Sequence, residues 1–213
     1  MIKIENFEVL GWEHAIRGMR NPMNSWDQSD SYKTHIEDHE TMETAGFEFF
    51  VGDNDLDLMQ RLRKAGTDHR KFMRMLVVYV DITAPLYWWK EADTYAVGVV
   101  KNSCSTMHKI HAKEFTLDDF SHEHLTDRSL NCLENTIQAL NINREYFLQD
   151  RSKQDWWQMI QLLPSSYNQK RTVMLNYEVL ANIYKSRKNH KLDCWHDLCH
   201  WIEKLPYSEL ITG

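Results

Sequence analysis

A chain of 213 residues, 42% of them apolar, can bury one substantial core or two small ones. Its formal net charge of -6 excludes a nucleic-acid module running on bulk positive charge, although a local run of Arg187, Lys188, His190 and Lys191 remains. No apolar run approaches the length needed to cross a bilayer. The N-terminus lacks a signal-peptide pattern. Cys104, Cys132, Cys194 and Cys199 show no paired spacing and read as reduced thiols of a cytoplasmic protein. Seven Gly and four Pro favour long helices over a many-turned β fold, while eight Trp and nine Tyr supply rings for a core or an interface.

In chain order, Met1 to Leu10 alternates (Ile2, Ile4, Phe7, Val9) and predicts a strand. Trp12 to Met19 predicts a short helix. Ser25 to Glu43 is polar and without period, which predicts a loop or inserted segment. Gly52 to Asp55 makes a turn and cap for a helix over Leu56 to Ala65, stopped by Gly66 in the position where glycine relieves the left-handed backbone. Lys71 to Ile82 carries the β-branched run of a strand, ended by Thr83-Ala84-Pro85. Leu86 to Val100 presents a broad apolar side and predicts a helix, with Tyr87-Trp88-Trp89 as a candidate interface or stacking patch. Thr116 caps Leu117 to Phe120. Leu130 to Leu148 and Gln154 to Leu163 read as helices, and Leu192, Trp195, Cys199 and Ile202 mark the last one before Pro206. The result is one α+β domain over residues 1–213, a small sheet packed with long helices.

The stretch from Gln161 to Trp201 says most about chemistry. Pro164 ends what precedes it and Thr172 is a candidate cap. Asn176, Leu180, Ile183 and Arg187 then recur at helical spacing, with Asn182 one row over. A helix that puts two amides and a guanidinium beside a packing stripe either satisfies its neighbours or presents donors to a ligand. His196 and His200 sit four apart, but the metalloprotease pattern is absent, and two ligands alone do not make a metal site. Cys104 and His108 form a nucleophile–base pair only if their segment is helical. The basic run after Lys185 either binds phosphate or is a solvated helix end.

Three landmarks in this order make the chain resemble the flavin-dependent thymidylate synthase family from about Leu56 onward. One is the helix Leu58 to Gly66, then His69, the strand Leu76 to Ile82 and Ala84-Pro85. Another is Leu163-Pro164 before a polar helix with Asn176, Asn182 and Arg187. The third is the basic turn Arg187 to His190 leading to Trp195. The resemblance implies a homotetramer with active sites at subunit interfaces, FAD as hydride carrier, and transfer of a methylene group from a folate to dUMP, a pyrimidine deoxynucleotide. By position it implies His69, Asn176 and Asn182 at FAD, and Arg187 and Glu91 at the nucleotide. It implies no metal.

The family's Arg-His-Arg signature does not appear. Its position reads Thr94-Tyr95-Ala96, the Asn-Glu pair falls on Lys101-Asn102, the serine that follows seven intervening residues on Cys104, and the closing Arg on Thr106. Each charge-assisted phosphate contact contributes about 1.5–3 kcal/mol, so losing several weakens ligand binding greatly. Lys90, Lys101, His108 and Lys109 are the cations available nearby. Two expectations follow: a divergent flavoprotein, in effect a nucleotide methyltransferase, or a non-catalytic relative that binds or sequesters a nucleotide or a partner protein through the same cleft.

Overall fold

The computed structural model describes residues 2–37 and 44–213, and the side chains of all of these but 35–37 and 44–47. It is a mixed α+β structure. Four strands form one sheet in the order β1 (Lys3–Leu10), β4 (Val77–Pro85), β6 (Asn168–Asn176), β5 (Val100–Ser103), and β2 (Tyr32–Glu37) pairs antiparallel with β3 (Thr44–Phe50) in a second. The helices are α1 (Trp12–Arg20), α2 (Asp53–Lys64), α3 (Leu86–Ala92), α4 (Asp127–Asp150), α5 (Lys153–Leu162), α6 (Tyr177–Arg187), α7 (Asp193–Ile202) and α8 (Glu209–Thr212).

The chain divides into two compact units. Unit 1 is Met1–Asn6, Val80–Val173 and Lys191–Leu198, and unit 2 is Phe7–Tyr79, Met174–His190 and Cys199–Gly213.

In unit 1, α4 packs along α5 over a core of Ile110, Phe115, Phe120, Leu133, Leu140 and Met159. Ser152 caps α5 by accepting from the Gln154 amide at 3.2 Å. Thr116 and Asp119 make a reciprocal capping box around the turn Leu117–Asp119, as the sequence predicts. A second cluster joins Trp88 to Trp89 and to Trp195, with ring centroids 4.8 Å apart in both pairs. Trp88 and Trp89 are each 1% exposed, so these two rings fill a core and cannot stack a ligand or meet a partner. That removes Trp88 and Trp89 from the candidate interface or stacking patch and leaves Tyr87, which is half-buried. The apolar side of 86–100 misled because only its first half is buried. The helix stops at Ala92, where Asp93 and Thr94 turn back onto Trp89 and Glu91, and Gly98 adopts a φ of 74°. Val97 lies 92% exposed.

In unit 2, Trp12 sets its ring edge-on to Tyr177 and Tyr207, at 5.6 and 5.0 Å. Burial pushes the Tyr177 phenol well above its ordinary pKa, and its hydroxyl donates to the Pro206 carbonyl at 2.6 Å. Gly11 opens α1 at a φ of 96°, where a Cβ would overlap the Met75 carbonyl. Two expectations change here. The strand expected from Lys71 begins only at Val77, because Arg70–Arg74 is a 3-10 turn that buries Phe72 and Met73 without alternation. The loop expected over 25–43 contains β2 and a short 3-10 turn, Trp26–Gln28. Residues 38–43 of that expectation lie outside the described residues.

Candidate functional site

The residues singled out on the polar helix are placed by α6. Asn176 is its N-cap, and Asn176 Oδ1 accepts the Val179 amide at 3.0 Å. Asn182 is exposed between buried Ala181 and Ile183, and Arg187 is half-buried at the last turn. The turn that follows His69 packs on α6, and Arg70 Nη2 donates to buried Glu178 Oε1 at 2.8 Å. His69 itself is exposed. Unit 2 thus contains His69, Asn176, Asn182 and Arg187, whereas Glu91 belongs to unit 1. There Glu91 Oε2 accepts the Trp195 indole N–H at 3.1 Å.

Thr172 is not a cap. It lies within β6, and its hydroxyl donates to Asp81 Oδ1 at 2.7 Å. Cys104 and His108 do not share a helix. Ser105 Oγ accepts the amides of Met107 and His108 at 3.2 and 2.8 Å, which turns the chain instead. No group of three or more metal-ligating side chains occurs among the described residues.

The segment carrying the family's signature positions now has a definite geometry in unit 1. Asp93 is its centre. Lys101 Nζ donates to Asp93 Oδ1 at 3.0 Å and to the Ala92 carbonyl at 2.9 Å. Arg171 Nη1 reaches both Asp93 oxygens, at 2.9 and 3.2 Å, and Arg171 Nε donates to Gln169 Oε1 at 3.0 Å. The guanidinium also sits 4.2 Å from the Trp89 ring centroid. Partial burial acts to raise the Asp93 pKa, but the bonds from Lys101 and Arg171 outweigh it and hold the carboxyl below its ordinary range. Sequence reasoning missed this knot, because 78 residues separate Arg171 from Asp93.

The knot bears on FAD. Thr94 and Ala96 are exposed and bring no charge, and the cations beside them, Lys101 and Arg171, are committed to one carboxylate and to backbone carbonyls. The residues at the signature position bring no phosphate-binding cation of their own, and the two cations hydrogen-bonded there are already engaged with Asp93.

Immediately beyond, Cys104, Ser105 and Thr106 line a cleft of about 470 Å3 with Lys3, Lys113, Lys170, Tyr167, Asn168, Asp118 and Asp119. Its lysines have carboxylate neighbours. Lys170 Nζ lies 3.1 Å from Asp81 and its pKa is raised by that bond, Lys3 lies 2.7 Å from Glu5, and Lys113 pairs with Asp119. Burial raises the Tyr167 phenol. Lys3 and Lys113 are largely exposed, so an anionic ligand can exchange for their carboxylates at small cost, whereas Lys170 is held in the Asp81 network.

No family model matches this chain, and no curated protein matches it in sequence. Among solved structures it is similar to thymidylate synthase X from Helicobacter pylori with FAD and dUMP, at a TM-score of 0.68 and 15% identity, over 100% of this chain and 97% of that one. A second structure of that enzyme complexed with FAD and dUMP gives 0.66 and 15%, over 99% and 97%. The UMP/dUMP methylase PolB from Streptomyces cacaoi, bound with 5-Br dUMP, gives 0.59 and 11%, over 100% and 93%. Likeness of this length at such low identity carries the architecture and nothing finer. The chain has the α+β fold of the flavin-dependent thymidylate synthases, as its order of landmarks implies.

Proposed function

We propose that this protein binds a pyrimidine deoxynucleotide of the dUMP class in the cleft of unit 1, without the flavin chemistry of its structural relatives. One observation carries the reading. The residues at the end of the signature, Cys104 to Thr106, line a cleft with three lysines, of which Lys3 and Lys113 are largely exposed. A monophosphate needs cations and hydroxyl donors, which the cleft has. The relatives that hold dUMP or its 5-bromo analogue make a pyrimidine nucleotide the first ligand to test. Arg187 and Glu91 do not line this cleft, and they would be substrate-side only in the homotetramer that the resemblance implies, with sites at subunit interfaces. A nucleotide-sequestering role in the cytoplasm suits such a protein.

The second reading is a flavoprotein in which FAD is held by His69, Asn176 and Asn182 and by cations from new positions, with a folate as partner. The FAD in the Helicobacter pylori structures favours it. One experiment separates the two. The visible spectrum of purified protein is recorded before and after loading with FAD and dialysis, and dUMP is then titrated by calorimetry. A colourless protein that binds dUMP supports the first reading. A retained flavin band supports the second, and neither band nor heat removes both.

A further inference from the structure

Unit 2 holds a cleft of its own, of about 420 Å3, formed where one stripe of α1 faces the segment from Trp26 to Lys33. Ile16, Arg17 and Arg20 of that stripe line it. The opposite wall is unusually well fixed. Asp55 Oδ2 accepts from Ser29 Oγ at 2.7 Å, from the amides of Asp30 and Ser31 at 3.2 Å each, and from Ser31 Oγ at 2.6 Å. The Asp30 carboxylate in turn accepts the amides of Asn54 and Asp55, at 2.9 and 3.1 Å. Gly52 approaches Asp30 so closely that any Cβ would overlap its carboxylate. The wall is thus bolted to the start of α2.

On this rigid wall two large rings stand in solvent. Trp26 is 51% exposed and Tyr32 55% exposed. Neither is loose: Trp26 Nε1 donates to Asn21 Oδ1 at 2.8 Å, and the Tyr32 ring leans on Phe50 at 5.2 Å. Rings held in place but kept out of the core are a stacking platform. Arg17 and Lys33 also line the cleft, with Glu13 the one carboxylate among its described lining residues. Arg20 is buried on Asp55, so it serves the wall. A volume of this size falls in the range of small-molecule clefts, about 300–1,000 Å3.

We infer that this cleft binds a planar aromatic anion, a nucleoside monophosphate, with the base on Trp26 and Tyr32 and the phosphate at Arg17 and Lys33. Stacking of this kind tolerates any base, and the arginine fork suits a phosphate. The inference does not depend on the cleft of unit 1.

Photocrosslinking tests it on the full chain. The protein is irradiated with 8-azido-AMP and, separately, with 5-iodo-dUMP, digested with trypsin and mapped. The expected product is label on the peptide Asn21 to Lys33, which trypsin releases intact and which contains both rings. Excess AMP should block the label, and equal concentrations of inorganic phosphate or adenosine should not. Arg17→Ala and Trp26→Ala should each lower the label about tenfold, with folding checked by circular dichroism. Arg17 is exposed, so its variant keeps the test valid if the tryptophan variant unfolds. Label elsewhere only, blocking by adenosine as effective as by AMP, or label unchanged in the folded variants overturns the proposal.

Discussion

Arg20 Nε donates to Asp55 Oδ1 at 2.6 Å inside unit 2, with the two side chains 4% and 0% exposed. Burial pushes the Asp55 pKa up, but the hydroxyls of Ser29 and Ser31 and the Arg20 guanidinium outweigh it, so the net direction is down. Removing the carboxylate strands a buried cation and frees the 29–31 wall. Asp55→Ala should cost about 3–5 kcal/mol, read as a lower midpoint in urea. The sign with pH follows from the lowered pKa. The stabilisation is present above the ordinary value of 3.8 and is lost as pH falls below it.

A second carboxylate makes a sharper acid prediction. Asp81 accepts from Thr172, Asn6 and Lys170, at 2.7, 3.0 and 3.1 Å, and these bonds lower its pKa to about 2. The residues come from β4, β6 and β1, so one carboxylate joins three strands. Its contribution should be complete above pH 3.8 and vanish as pH falls through about 2. Asp81→Asn should flatten the acid limb of a stability–pH profile, lowering stability at neutral pH and leaving it nearly unchanged below about pH 2. An acid limb identical to wild type would sink the assignment.

These two networks also mark what could and could not be read from the chain. The helices over 12–20, 127–150 and 153–162, the capping box at Thr116 and the stop at Gly66 are local. Their signals are apolar spacing, a cap or a φ that only glycine holds cheaply (111° at Gly66), and each lies within one turn of the feature it sets. The strand over 32–37 was invisible because it is polar. Its stability comes from pairing with Phe47 to Phe50 across the hairpin, not from its own alternation. The Arg20–Asp55 and Arg171–Asp93 pairs span 35 and 78 residues, with no periodicity to announce them. The role of Asn176 was half legible. Helical spacing found the residue, but an N-cap and a ligand contact look alike in sequence.

Asn176 can be tested on that point. As a cap alone, Asn176→Asp should keep stability, since aspartate accepts the Val179 amide equally well, and Asn176→Ala should lose about 1 kcal/mol. Both are read by urea denaturation. Calorimetry with dUMP and FAD on the Asp variant then isolates any ligand role, because the cap is intact. Unchanged affinity leaves Asn176 a structural residue.

The knot at Asp93 yields a gain-of-function prediction. Lys101 and Arg171 both point their charge at one carboxylate that is 49% exposed. Pairs so close to solvent stabilise by about 1 kcal/mol or less each, so Asp93→Ala should fold with only a modest loss. It releases two cations whose geometry is otherwise fixed: Arg171 by Gln169 and the Trp89 ring, Lys101 by the Ala92 carbonyl. They lie beside the position where relatives by resemblance carry their cationic signature. The variant should therefore bind inorganic pyrophosphate at least tenfold more tightly than wild type, and the gain should shrink as salt rises. Calorimetry at two ionic strengths measures it. Equal pyrophosphate affinity in the folded variant would mean that the two cations do not reach a common anion.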